Sequence, residues 1–275
     1  KKVWVDSWGP RLEHILRHGL MALRVVPDAT LFDLPRILVD KRFREGVLDY
    51  VNDTQVLAFF RDEFDKYSAY FRSEAIAPIL NKVGHFLANP LLRRMLGHKE
   101  NHLKMREIMD GGRVLLVNLS KGLLGEDSSA LLGALVLSRI ELAALSRADM
   151  PEGARRPFYL FVDEFSNFAT PSFAGMLSES RKFGLALTIC SQTLGQMEED
   201  IRGAVFGNVG TLIAFQVGAE DAEYLEKEFQ PTFSVEDLIN LARHQIYLKL
   251  MVDGRVSQPF SAVTLEPPEQ NQSGL

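Results

Sequence analysis

Five apolar residues, Phe158-Tyr159-Leu160-Phe161-Val162, run directly into two acids, Asp163 and Glu164. In a parallel sheet ligands bind beyond the carboxyl ends of the strands, so both carboxylates would lie on a rim where a nucleotide docks. That is the layout of a Walker B element. Asp163 would hold Mg2+, usually through water, and Glu164 would polarise the water that attacks a γ-phosphate. A strand that simply ends in a solvated acidic turn fits the same residues. Further along, Arg181-Lys182 stand just before Gly184, a helix stop. The next apolar run closes on Cys190-Ser191-Gln192. A polar side chain at that strand tip suits γ-phosphate sensing, the role open to Gln192; a turn residue in contact with water is the plainer reading. Arg181 is a candidate arginine finger, offered to the site of a neighbouring subunit and worth roughly 10³ to 10⁵ in rate. It is equally a basic residue complementing a helix dipole, worth about 0.5 kcal/mol.

A complete nucleotide site also needs G-x-x-x-x-G-K-[ST], whose backbone N–H groups and lysine hold the phosphates. None of the 20 glycines is followed by lysine. In Ser120-Lys121-Gly122-Leu123-Leu124-Gly125-Glu126-Asp127 the lysine precedes the glycines and two acids would repel phosphate. That segment reads as a strand-to-helix connection with Asp127 or Ser128 as the helix N-cap. By itself this sequence lacks the usual means of binding ATP. His14 with His18, and His98 with His102, have the i,i+4 spacing that can face one metal ion. Neither pair carries the glutamate of H-E-x-x-H, so helix-surface histidines are the favoured reading. The basic groups Lys41-Arg42-Phe43-Arg44 and Arg93-Arg94 with His98, Lys99, Lys104 and Arg106 could meet DNA phosphates, or simply be solvated. The acid-rich helix Glu220 to Glu228 reads as solvated.

The elements that must position these residues fall into two patterns. From about Pro10 to Asp110, apolar residues recur at three- and four-residue spacing, as in Leu12-Ile15-Leu16-Leu20-Leu23 and Ile76-Ile79-Leu80-Val83-Phe86-Leu87. Pro27-Asp28, Asn52-Asp53-Thr54, Asn89-Pro90 and Gly111-Gly112 punctuate them, giving an all-α unit. After Gly112, short β-branched or aromatic runs alternate with helical segments, as in a parallel sheet with crossover helices. Strands are expected at Arg113 to Leu119, Phe158 to Val162, Leu185 to Cys190 and Thr211 to Val217, with Cys190 buried. Helices are expected at Ser128 to Arg147, Pro171 to Phe183, Leu194 to Ile201 and Glu220 to Phe229, with a short one near Val235 to Leu241. Asp253-Gly254 is a favoured two-residue turn, so Gln245 to Val252 and Val256 to Thr264 should form a closing antiparallel hairpin.

The 275 residues, 46% hydrophobic and 24% charged, suffice for one large or two modest domains with a real core. One cysteine excludes an intramolecular disulfide and a multi-cysteine metal site. A net charge of −5 argues against a protein that coats nucleic acid with its whole surface. No run of 18 uninterrupted apolar residues occurs and the opening lacks a secretory layout, so nothing here is expected to span or cross a membrane; the opening also lacks a Met, so an upstream segment is expected.

The order of Trp8-Gly9-Pro10-Arg11 through Leu16, Ala77-Pro78-Ile79-Leu80-Asn81-Lys82-Val83-Gly84, Val117-Asn118-Leu119-Ser120-Lys121-Gly122, Phe161-Val162-Asp163-Glu164-Phe165, Glu179-Ser180-Arg181-Lys182-Phe183-Gly184 and Ser191-Gln192 resembles the conjugative coupling-protein branch of the HerA–FtsK DNA-pump superfamily, the type IV secretion coupling ATPases. The likeness runs from about Trp4 to Thr264. It implies an α/β fold: a RecA-like P-loop NTPase core with an inserted all-α domain. On that pattern 1–9 end an upstream part of the nucleotide-binding domain, 10–110 form the insertion, 111–265 form the Walker B half, and 266–275 are a disordered tail. The resemblance implies a ring-forming, hexameric motor that hydrolyses ATP with Mg2+ between subunits and drives DNA through a channel. Its partners would be DNA and conjugation or secretion proteins, and its location cytoplasmic or at the membrane's cytoplasmic face, with any anchor outside this chain. Carried over by position, Asp163 and Glu164 match the Walker B pair, Arg181 the trans-acting arginine and Gln192 the γ-phosphate sensor. The missing Walker A loop departs from the family pattern and marks the chain as a fragment. The rival reading is a non-catalytic RecA-like adaptor that recognises a protein through its helical unit.

Overall fold

A computed structural model describes residues 9–98 and 103–266. The chain divides into two compact units, one formed by residues up to Ile108 with Arg113–Val136, the other by Met109–Gly112 with Leu137 onward.

The regular elements of the first unit are all helices among its described residues. Helices α1 (Pro10–Arg24), α2 (Asp33–Val39), α3 (Lys41–Leu48), α4 (Thr54–Ala58), α5 (Ala69–Ala88) and α6 (Pro90–Leu96) follow the punctuation in the sequence. Asp40, Asp53, Ser68 and Asn89 each accept a backbone N–H from the first turn they precede, satisfying donors that a helix start leaves open. The apolar stripes converge on one core containing Ile15, Leu34, Ile37, Phe60, Phe64 and Ile79. Between α4 and α5 the chain forms a turn of π-helix, Phe59–Glu63. His18 stacks on Phe59 at 4.2 Å, and the His14 Nε2 lies 3.3 Å from a Glu63 carboxylate oxygen. The two histidines are thus engaged in ring packing and a hydrogen bond, and no group of three or more possible metal ligands occurs among the described residues. His102 and Lys99 lie outside those residues.

Arg44, expected on a solvated or DNA-facing surface, is buried. Its guanidinium donates to the Ile37 carbonyl at 2.9 Å and to Asp65 at 2.7 Å. A helix C-terminus with free carbonyls and a nearby carboxylate is a better partner for a planar cation than water once the aliphatic stem is packed.

Helices α7 (Met105–Asp110), α8 (Lys121–Leu124) and α9 (Glu126–Ser146) follow. The helix expected from Ser128 thus begins at Glu126, after Gly125 turns the chain at φ 79°. Residues 113–120 pair with no other strand, against the expectation of one at Arg113 to Leu119. Val114 and Leu116 are 85% and 90% exposed, so the β-branched composition is present without a ladder partner. Helix α9 is long and apolar enough to cross a membrane by length and composition. Arg147, immediately after it, is fully buried and paired with Asp110, the behaviour of a protein interior.

In the second unit, β1 (Phe158–Val162) and β2 (Leu185–Ile189) pair in parallel, with Phe158 opposite Leu185 and Val162 opposite Ile189. Helix α10 (Pro171–Glu179) and a 3-10 turn, Ser180–Phe183, connect them. Cys190 falls one residue beyond β2 and is exposed, correcting the buried strand position. Helix α11 (Glu199–Asn208) starts later than expected, because residues 191–198 form a loop. Strand β3 (Leu212–Ala214) joins β4 (Gln245–Lys249) and β7 (Phe260–Val263) in an antiparallel sheet, order β3-β4-β7, with β5 (Met251–Val252) and β6 (Arg255–Val256) at its turn. A single parallel sheet through β1, β2 and β3 is not formed among the described residues. Asp253 and Gly254 both have positive φ, as the expected hairpin turn demands. Helices α12 (Ala219–Phe229) and α13 (Val235–Ile239) cover this sheet through Leu225, Phe229 and Leu238. The tail from 267 lies outside the described residues, as do residues 1–8.

Candidate active site

Site geometry begins with the register of two strands. Because β1 and β2 run parallel and end level, residues just past Val162 and just past Ile189 emerge side by side. The ladder continues into the turns: Cys190 N–H donates to Val162 O at 2.9 Å and Phe165 N–H to Cys190 O at 2.8 Å. Asp163, Glu164 and Gln192 are thereby brought to one edge. The Gln192 amide Nε2 donates directly to the Glu164 carboxylate.

Glu164 has φ 48° and ψ 45°, a left-handed conformation that non-glycine residues seldom adopt. Such backbone costs on the order of 1 kcal/mol and tends to occur where a side chain must be aimed. It lets Phe165 turn inward, where its ring meets Phe173 at 4.5 Å, while Glu164 stays at the edge. Asp163 is exposed, and one of its oxygens accepts the Glu164 N–H at 3.0 Å. No cation pairs with Asp163 among the described residues, so its other oxygen is available as a hard donor of the kind Mg2+ prefers.

The loop carrying Gln192 is itself held. Ser191 Oγ donates to Thr193 O at 2.8 Å, and the Leu194 N–H lies 3.1 Å from both oxygens of Asp221. Asp221 is buried in the first turn of α12, which corrects its reading as part of a solvated acidic face. Ser166 Oγ donates to Gln196 Oε1 at 3.1 Å, tying the same loop to the turn after Glu164. Sequence reasoning missed Asp221. One acid among the five on α12 carries no mark of burial, although the first turn of a helix is where a carboxylate meets a neighbouring N–H.

Arg181 is placed elsewhere. It precedes β2, so it lies at the opposite edge of the strands, about 16 Å away along the five residues of β2. Its side chain is exposed, and no hydrogen bond or ion pair holds the guanidinium among the described residues. The structure therefore brings three of the four candidate residues together and leaves Arg181 facing outward. Gln192, Glu164 and Asp163 can orient water and bind a hard cation; nothing among the described residues forms a phosphate cradle beside them.

Residues 157–228, which contain all four, match the family model described as the TraM recognition site of TraD and TraG. No curated protein matches. Among solved structures, the unbound form of the bacterial conjugative coupling protein TrwBdeltaN70 superposes with a TM-score of 0.62 at 15% identity, covering 93% of this chain and 64% of that one. The plasmid coupling protein TrwB bound to the non-hydrolysable GTP analogue GDPNP gives 0.61 at 15%, covering 92% and 62%. The same protein with ADP and Mg2+ gives 0.61 at 14%, again covering 92% and 62%. The chain thus spans less than two thirds of the solved structures it matches. The resemblance to the conjugative coupling-protein branch stands on motif order, on this segment match and on the fold.

Proposed function

We propose that the chain is the Walker B half of a coupling ATPase, an ATP-driven DNA translocase of a conjugation or type IV secretion system. Its domain organisation on this reading is an all-α insertion at 10–110 and nucleotide-binding residues at 111–265. The single observation that carries the reading is the Gln192–Glu164 hydrogen bond beside Asp163, at the carboxyl ends of two parallel strands. That is where an α/β sheet binds its ligand. Bound Mg2+-ATP would supply the γ-phosphoryl group and the charge neutralisation that hydrolysis needs. Asp163 would hold the ion through water. Glu164 would accept a proton from the attacking water, and Gln192 fixes the Glu164 carboxylate in one orientation. Arg181, exposed at the far edge, would serve the site of a neighbouring subunit in a ring. The residues that cradle phosphate would come from outside this chain.

Two of the matched TrwB structures are complexes, one with GDPNP and one with ADP and Mg2+, which supports nucleotide and Mg2+ binding here. The TraM recognition description of the segment match supports a conjugation-machinery partner at 157–228. A cytoplasmic position, with any membrane anchor outside this chain, follows from the same reading. The adaptor alternative predicts no turnover. DNA-stimulated ATP hydrolysis by the full-length polypeptide decides between them: stimulation supports the motor, and absence of hydrolysis with and without DNA rejects it.

A further inference from the structure

The turn that carries Arg181 is held from behind by two other arginines. A helix end leaves its last carbonyls without internal partners. In the 3-10 turn Ser180–Phe183, the Gly184 N–H takes the carbonyls of Ser180 and Arg181. The Lys182 carbonyl accepts from Arg155 Nη1, and the Phe183 carbonyl accepts from Arg147 Nη1 at 3.1 Å. All four carbonyls of the turn are thus occupied. Arg147 also donates through Nε to Asp110 at 2.9 Å and through Nη1 to the Arg156 carbonyl at 3.0 Å. Arg155 donates to the carbonyls of Arg147 and Met150, so the two side chains form one assembly.

Arg147 is fully buried, and its Nη2 has no acceptor. A buried guanidinium is costly, and an apolar residue of similar size often gives equal or better stability. The arrangement is better suited to fixing a direction than to maximising stability. Gly184 has φ 75°, and a Cβ there would stand 3.3 Å from Arg147 Nη1 and 3.4 Å from Arg155 Cβ, so the turn is closed against both. The chain enters β2 from this turn, with the Phe158 N–H on the Gly184 carbonyl at 2.8 Å.

We propose that Arg147 is a positioning residue: it sets the 180–183 turn so that Arg181 is presented outward in one direction, with Arg155 as its second support. This rests on the reading of Arg181 as a finger acting on a neighbouring subunit. Arg147 does not touch nucleotide, so its loss should leave ATP binding by its own subunit intact and lower turnover.

The test is a double-mutant cycle and a mixing experiment in the full-length polypeptide. Arg147→Gln, and separately Arg155→Met in case the first fails to fold, should lower kcat on the order of tenfold or more with KM for ATP unchanged. Combining either with Arg181→Ala should slow turnover no further than Arg181→Ala alone, because residues that act as a unit are not additive. Mixing either variant with Glu164→Gln subunits should restore part of the activity, since some interfaces then pair an intact site with an intact finger. Mixing it with Arg181→Ala subunits should restore none. Additive losses in the cycle, recovery with Arg181→Ala, or failure of both variants to regain activity with Glu164→Gln would overturn the role of Arg147. Full activity of Arg181→Ala by itself would instead remove the finger reading beneath it.

Discussion

Glu164 combines a strained backbone with a side chain hydrogen-bonded by Gln192. Glu164→Gly relieves the positive φ and should raise unfolding stability by about 1 kcal/mol while abolishing turnover. Chemical denaturation checks the first and ATP hydrolysis the second; a loss of stability would mean that the Gln192 contact outweighs the strain. Glu164→Gln in the full-length polypeptide should retain nucleotide binding and lower kcat by about 10²-fold or more. Asp221 acts one step back. Asp221→Ala strands the Leu194 N–H and should cost about 1 to 3 kcal/mol. It should also lower turnover by loosening the loop that aims Gln192.

At the scale of elements, the strand ends were legible because an oily run that stops at acids has few other meanings. Strands β1 and β2 lie where the pattern puts them. Residues 113–119 are similarly apolar and join no strand ladder among the described residues, because a strand is defined by its neighbour and composition alone does not supply one. Arg44 and Asp221 were misread for a related reason: a charged residue is buried by partners distant in sequence, Asp65 and Leu194, which periodicity does not reveal. The π-helical turn offers a pH test. The Tyr67 hydroxyl, and secondarily His14, hold the Glu63 carboxyl below its ordinary range. Burial, and then Glu63, push the Tyr67 hydroxyl up to about 12. A depressed carboxyl stabilises above its unfolded value and loses that contribution as pH falls through the folded one. A raised hydroxyl stabilises below its unfolded value and loses that contribution as pH rises toward the folded one. Tyr67→Phe should therefore lower the thermal midpoint most between about pH 5 and pH 9, with the gap narrowing at both extremes. The effect should stay under ~1 kcal/mol, since the pair is partly solvated. A gap of constant size across pH would contradict the linkage.

For the whole molecule, the informative feature is apolar surface that a parallel sheet normally covers. Tyr159 and Phe161, on one face of β1, are 66% and 73% exposed, whereas α/β folds bury both faces of such a sheet. The matched coupling-protein structures extend beyond the length this chain spans. On the proposed reading, the 275-residue chain alone should bind an apolar dye and self-associate. The double substitution Tyr159→Thr and Phe161→Thr should reduce both while leaving the β1–β2 pairing folded, as judged by circular dichroism. Dye binding unchanged by the pair would place the exposed surface elsewhere. The central claim, that Asp163 and Glu164 face Mg2+-bound triphosphate, is tested most directly by a crystal structure of the full-length polypeptide with Mg2+ and a non-hydrolysable ATP analogue. The expected result is Asp163 joined to the metal directly or through one water, and Glu164 with Gln192 beside the γ-phosphate. A metal and triphosphate bound away from both carboxylates would contradict it.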